Sequence, residues 1–389
     1  MKHYLLVCLL FISAFFSQAQ ETTIQKTSIP AEQHYKFSPV IDLETSSVKN
    51  QGNTGTCWSF STSSFAESEI YKNTQQDIDI SEMFTVRKTY EDKAWDYVMR
   101  QGKTQFSQGG LSHDVINAIK KNGLVPESAF SGVLGTDKKY NHSKIVPALK
   151  EVLDAYIKNG KDSKYPNWKQ SVDSILDIYI GKAPEHFMYN GVDYTPKSFL
   201  AMTKFNPNNY ITLTSFTQEP FYSTFILNIP DNFSNGSFYN LPLDELIEVT
   251  DNAIHKGYTI ALDIDVSEKT FSQKYGLAVL PQKIEDNEKA MTYIVKENNV
   301  TQQYRQEEFE NFNTTDDHLM QIVGLVKDQN GTQYYKVKNS WGTTGDRIGN
   351  GGFIYISKAY FKLKAISVLV NKNSLPKNLS EILEKPSKS

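Results

Sequence analysis

Cys57 sits in the run Gln51-Gly52-Asn53-Thr54-Gly55-Thr56-Cys57-Trp58-Ser59-Phe60. Gly-Asn-Thr-Gly is a turn signal. From Trp58 to Tyr71 the chain then runs without Gly or Pro and carries Phe60, Phe65, Ala66 and Ile70. That stretch is expected to be a helix, intrinsically weak because of its Ser and Thr residues. Its small side chains suit burial between layers. Most lone cysteines are small buried core residues, but here the thiol would open a helix, where unpaired N–H groups and the macrodipole favour the reactive thiolate. Gln51, across the turn, is placed to donate with the Cys57 N–H to an oxyanion forming beside the sulfur.

Such a thiolate needs an imidazole partner. Of seven histidines, His3 lies in the N-terminal segment, and His34, His142, His186 and His255 fall in polar or mixed stretches. His113 follows Gly109-Gly110 and is expected to begin a helix. His318 precedes the strand-like run Leu319 to Val326; Asp328-Gln329-Asn330-Gly331 turns the chain, and Tyr334 to Lys338 alternates as a second strand ending in Asn339-Ser340-Trp341-Gly342. A hairpin of this length brings Asn339 beside His318. The Asn carbonyl, accepting from one ring nitrogen, would fix the tautomer and aim the other nitrogen at sulfur. Trp341 would shield that bond from water. The neighbouring Asp317 carboxylate would favour the imidazolium.

Gln51, the glycine loop, Cys57-Trp58, His318 at a strand start and Asn339-Ser340-Trp341-Gly342 together resemble the papain-like cysteine peptidases. Thr54 stands where that family's local motif carries a further cysteine. The resemblance implies an α+β papain-like fold, with a helical left half whose central helix starts at the nucleophile and a β-sheet or barrel right half. It implies catalytic roles for Cys57, His318 and Asn339 and an oxyanion role for Gln51. Gly109 and Gly110 would offer backbone bonds to an extended peptide substrate, the equal alternative being a tight turn that needs positive φ.

His318 follows Cys57 by roughly 260 residues, against ~130–150 in ordinary members. Residues 140–251 therefore read as a large, partly helical insertion, with helices expected over 143–159 and 167–181. With Ile80-Ser81-Glu82-Met83-Phe84, Gly123-Leu124-Val125-Pro126-Glu127 and Leu262-Asp263-Ile264-Asp265-Val266, the chain is similar to the bleomycin hydrolase and aminopeptidase C branch. That branch implies removal of N-terminal residues from peptides and a homohexameric ring. Its exopeptidase restriction rests on a C-terminal arm whose final residues enter the cleft. The tail 371–389 is expected to stop before that arm, so an endopeptidase is an alternative. A transglutaminase-like acyl transferase also fits a Cys–His pair, although Asn339-Ser340-Trp341-Gly342 argues against it. A non-catalytic peptide-binding scaffold is disfavoured by the intact catalytic set.

The 389 residues are 39% hydrophobic, enough for a large core and too apolar for a disordered chain. With 41 basic against 44 acidic residues there is no electrostatic footprint for nucleic acid. Met1-Lys2-His3, the apolar run Tyr4 to Phe16 and Ser17-Gln18-Ala19 read as a signal peptide over 1–19. The run falls short of the ~20 residues that span a bilayer. The mature peptidase domain, 20–389, is thus expected in a periplasmic or extracellular compartment, free of the membrane, with Cys8 removed and Cys57 as its one thiol. No metal motif and no phosphate-cradling Gly-Lys-Ser/Thr loop is present, so no cofactor is expected. Asp231 to Pro242 faintly imitates a calcium loop but lacks the bidentate Glu.

Overall fold

Every residue from Cys57 to Ile70 is buried in α1 (Cys57–Thr74). A helix covered on all sides needs no amphipathic stripe, and small Ser and Thr side chains let its neighbours approach closely. One side faces helices; the other faces a sheet, to which Ser61 Oγ donates at the Met320 carbonyl (2.6 Å) and Ser64 Oγ at Gln321 Oε1 (2.5 Å). The protein is seen in a computed structural model that describes residues 34–134, 139–159 and 167–384. The expected signal peptide, 1–19, lies outside these residues.

The helical half contains α2 (Glu82–Met99) and α3 (Ser112–Asn122), both packed on α1. Ser81 caps α2 by accepting from the Phe84 N–H at 3.0 Å. In α4 (Ile145–Asn159) the buried residues are Ile145, Leu149 and Leu153, and in α5 (Trp168–Tyr179) they are Trp168, Val172 and Leu176. Both sets recur every fourth residue, the stripe a helix needs to lie on another, and both helices pack on α2. The second ends before the expected 181 because Gly181 takes φ 99°, outside the helical region. Phe199, in α6 (Pro196–Thr203), closes this half against Phe187 and Tyr194.

The other half is an eleven-stranded sheet among the described residues. Its first strand, β1 (Ser38–Asp42), pairs with the far end of a long strand, His318–Lys327. A separate hairpin comprises β2 (Phe187–Tyr189) and β3 (Val192–Tyr194). Then come β4 (Tyr210–Thr214), β5 (Thr224–Ile226), β6 (Ser237–Asn240), β7 (Ile260–Ile264), β8 (Phe271–Ser272), β9 (Leu277–Ala278), β10 (His318–Lys327), β11 (Gln333–Lys338), β12 (Phe353–Ser357) and β13 (Ala365–Asn371). The order is β5-β6-β4-β13-β7-β10-β11-β12-β9-β8. Segment 140–251 therefore divides: its helices join the helical half, whereas β4 pairs with β13 inside the main sheet. Leu246, Val249 and Ala253 of α7 (Leu243–His255) are buried in the sheet's own apolar cluster. Leu379, in the helix Lys377–Glu384 of the tail, is buried in the same cluster. No helix among the described residues is long and apolar enough to cross a membrane.

The β10–β11 hairpin turns at Asp328, whose Oδ1 accepts the N–H groups of Asn330 and Thr332, both at 2.9 Å. Only β7 pairs with the first residues of β10, His318 opposite Ile264 and Leu319 opposite Asp263. The β10 start is thereby held between α1 and the end of β11.

Candidate active site

Cys57 is the first residue of α1, after the turn whose Gly52 takes φ 63°. A Cβ at Gly52 would collide with the Tyr140 carbonyl, which accepts the Asn53 N–H at 2.9 Å. Thr54 Oγ1 bonds the Gln51 carbonyl (2.9 Å) and Thr56 Oγ1 (2.7 Å), so hydrogen bonds brace the loop. The backbone N–H of Leu319 lies close enough to the Cys57 sulfur to favour its charged form. That contact places the thiol against the residue following His318.

His318 Nε2 lies 2.8 Å from Asn339 Oδ1. The amide orientation is unambiguous, because Oδ1 also accepts the Ser340 N–H (2.7 Å) while Nδ2 donates to Gln273 Oε1 (2.7 Å). A carbonyl oxygen can only accept, so Nε2 carries the proton and Nδ1 is the basic nitrogen. The Trp341 ring lies over the imidazole at 4.8 Å between centroids. Gln51 is fixed at both ends: Ser340 Oγ donates to its Oε1 (2.6 Å) and its Nε2 donates to the Thr54 carbonyl (2.8 Å). One Nε2 hydrogen remains for an oxyanion. The structure thus brings Cys57, His318, Asn339 and Gln51 together.

Burial bears on the charge of this group. It pushes the Cys57 thiol up to about 12, helped by the nearby Asp231, Asp316 and Asp263 carboxyls and opposed by the Leu319 N–H. It drives the His318 imidazole down to about 4. Burial thus opposes the charge on each group taken singly. Removing a charge from water works against the thiolate that the helix terminus favours. Nor does Asp317 favour an imidazolium: its carboxylate is engaged with Thr315 Oγ1 (2.8 Å) and the Val266 N–H (3.4 Å).

Gly109 and Gly110 line the opposite wall, and neither has positive φ. Close approach is what requires glycine here. A Cβ at Gly110 would meet the Trp58 ring at 3.1 Å, and one at Gly109 would collide with the Asp231 carboxylate. The Gly109 carbonyl accepts from Lys93 Nζ, so neither its face nor its oxygen is open to an extended substrate as expected. Trp58 Nε1 ties this wall to α1 by donating to the Gln108 carbonyl at 2.9 Å. Gln273 gave no signal in the sequence, since its role depends on a fold-back that no local pattern encodes. Asp231 sat in the motif set aside as a poor calcium loop.

Beneath the site, Lys49 pairs with Glu82 (2.8 Å) and Glu67 (3.8 Å), and Lys338 Nζ donates to Ser64 Oγ (2.6 Å) and the Ser46 carbonyl (2.6 Å). This network ties α1 and α2 to β11, the strand that delivers Asn339. Among the described residues no three His, Cys, Asp or Glu side chains converge on a metal position.

The Peptidase C1-like family model matches residues 83–389, a stretch that begins after Cys57 and includes His318 and Asn339. Aminopeptidase G of Lactobacillus delbrueckii subsp. lactis is 24% identical over 88% of this chain and 84% of its own length. Aminopeptidase C of Listeria monocytogenes is 23% identical over 89% of this chain and 85% of its own. The crystal structure of PepW from Lactobacillus rhamnosis superposes with a TM-score of 0.70 at 18% identity, covering 89% of this chain and 84% of that one. The fold is thus the α+β papain-like one. The chain belongs to the Peptidase C1-like family, cysteine-type peptidases of the bleomycin hydrolase and aminopeptidase C kind.

Proposed function

We propose that this protein is an exported cysteine aminopeptidase that hydrolyses the N-terminal bond of short peptides through Cys57, His318 and Asn339. The observation that carries the chemistry is the single tautomer of His318: Asn339 holds Nε2–H, leaving basic Nδ1 for the thiol. His318 Nδ1 takes the thiol proton as sulfur attacks the substrate carbonyl, and the C=O electron pair moves onto oxygen. The free Gln51 N–H and the Cys57 N–H stabilise that oxyanion. Collapse breaks the C–N bond, His318 returns its proton to the leaving amine, and a thioester remains on Cys57. Water then gives a proton to His318 and attacks the thioester, and the thiol is reprotonated as the acid departs.

The names of relatives covering most of this chain support the aminopeptidase reading, and the pattern over residues 1–19 supports export. Resemblance alone supports a hexameric ring, which light scattering would report as six times the mass of the mature chain. In the central experiment, iodoacetamide labels Cys57 and abolishes release of dye from an amino-acid coumarylamide, and Cys57→Ser shows no turnover. Turnover by that variant would overturn the mechanism.

A further inference from the structure

The loop between β5 and β6 crosses the cleft beside the nucleophile. Asp231 rests its carboxylate on Gly109 of one wall, while its backbone N–H reaches Asp316 Oδ2 (3.4 Å), two residues before His318, on the other. The loop is a built block. Asn232 Nδ2 bonds the carbonyls of Leu227 (2.9 Å) and Gly236 (3.0 Å), and its Oδ1 accepts the Gly236 N–H (2.8 Å). Gly236 is packed so closely on the His113 ring that a Cβ would collide with it. A peptide running along this wall past one residue would meet Asp231.

Lys93 acts on the Asp231 carboxylate without contacting it, its Nζ being bonded to the Ser107 and Gly109 carbonyls. Among the described residues no Lys, Arg or His nitrogen lies within 4 Å of Asp231, Asp263 or Asp316. Asp231 receives only long bonds, from Ser107 Oγ (3.4 Å) and Gln105 Nε2 (3.5 Å). Asp263, 1% exposed, receives no hydrogen bond at Oδ1, and Asp316 Oδ1 is likewise buried without a donor. The Asp263 and Asp316 carboxyls face each other, and with Asp231 all three lie close enough to act on the Cys57 sulfur. Asp263 and Asp316 bond each other through a carboxyl proton, which leaves the Asp231 carboxylate, with only its two long bonds, as the acceptor open to a further donor. The three carboxyls do not converge as metal ligands, which leaves a larger cation carrying several N–H donors.

We infer that Asp231, backed by Asp316 and Asp263, receives the α-ammonium group of the substrate, and that the loop 227–236 ends the cleft one residue before the scissile bond. This rests on the peptidase reading above and names how the substrate is recognised. The N–H donors and charge of an ammonium group suit the under-bonded Asp231 carboxylate. An acetylated N-terminus brings neither the charge nor the donors, and its added bulk meets Asp231.

The experiment compares kcat/KM for leucine coumarylamide and its N-acetyl derivative in wild type, Asp231→Asn and Asp316→Asn. Wild type is expected to prefer the free amine by at least about a hundredfold, the ~3 kcal/mol of a charge-assisted contact. Asp231→Asn should lose tenfold or more on the free amine alone, and a cooperative urea transition reports that the variant is folded. A variant without that transition is replaced by a measurement on wild type: leucinamide should raise the melting temperature and N-acetyl-leucinamide should not. Equal turnover of both substrates, or full discrimination in a folded Asp231→Asn, overturns the inference while leaving the peptidase reading intact. If no substrate turns over, the peptidase reading fails, and the melting experiment still decides whether the ammonium site exists.

Discussion

At the scale of single residues, Asn339 fixes the His318 ring and so, in the proposed mechanism, governs the chemistry through a proton it never transfers. By accepting from His318 Nε2 it makes Nδ1 the base, and it is itself held by Ser340 and Gln273. Asn339→Ala should lower kcat roughly 10–100-fold, a typical cost for losing an orienting partner, with KM little changed in steady-state assays. Removing the oxyanion donor in Gln51→Ala should cost about 10²–10³ in kcat. A fall confined to KM would show that Gln51 binds substrate and does not stabilise the transition state. Cys57, His318, Asn339 and Gln51 were legible because their order and flanking turns survive in the linear chain. Gln273, Asp231 and the Asp263–Asp316 pair were not, because each acquires its role from a partner distant in sequence.

At the scale of elements, α1 and the β10–β11 hairpin form one unit locked by buried ions. Glu82, 1% exposed, pairs with Lys49, whose other partners include Glu67. Glu82→Ala should destabilise by about 2–3 kcal/mol, below the ~3–5 expected for a lysine left wholly unpaired, as read from urea midpoints. No change would mean that water reaches Lys49. A second element matters for substrate selection. Gly236→Val would push the β5–β6 loop from the His113 ring, so it should weaken preference for a free N-terminus while the iodoacetamide rate at Cys57 is kept. The helix at the thiol and the catalytic hairpin were readable from local turns and periodicity. The division of 140–251 was not, because β4 is short and its place beside β13 is a long-range pairing.

At the scale of the whole molecule, the interface between helices and sheet buries groups whose ionisation opposes folding. Burial and the nearby Asp231 raise Asp316 to about 7. It faces Asp263 and Asp317 as well, and its charge acts in turn on Lys93. Its folded state holds a proton that the unfolded state releases near 3.8, so this group lowers stability as pH rises from about 4 to 7. His318 acts oppositely: the unfolded imidazole binds a proton below 6.5 that the folded one refuses until about 4, so its contribution rises with pH across that window. Asp316→Asn should therefore gain stability relative to wild type as pH rises from 4 to 7. A pH-independent difference in urea midpoints would place the Asp316 ionisation elsewhere.

By itself the sequence determined the fold family and singled out Cys57, His318 and Asn339 as the candidate nucleophile, base and orienting Asn, because their placement in this chain is encoded in short turns and one hairpin. Only the tertiary structure decided how deeply the Cys57–His318 pair is buried and the shape of its cleft. The helix N-terminus promised a thiolate, but two layers close over Cys57 and remove the water that would solvate it. The glycines at 109 and 110 promised an open wall for peptide backbone, yet a loop more than a hundred residues later lies upon one and the Trp58 ring upon the other. Desolvation and long-range packing depend on what surrounds a residue in space, which its neighbours in the chain do not specify.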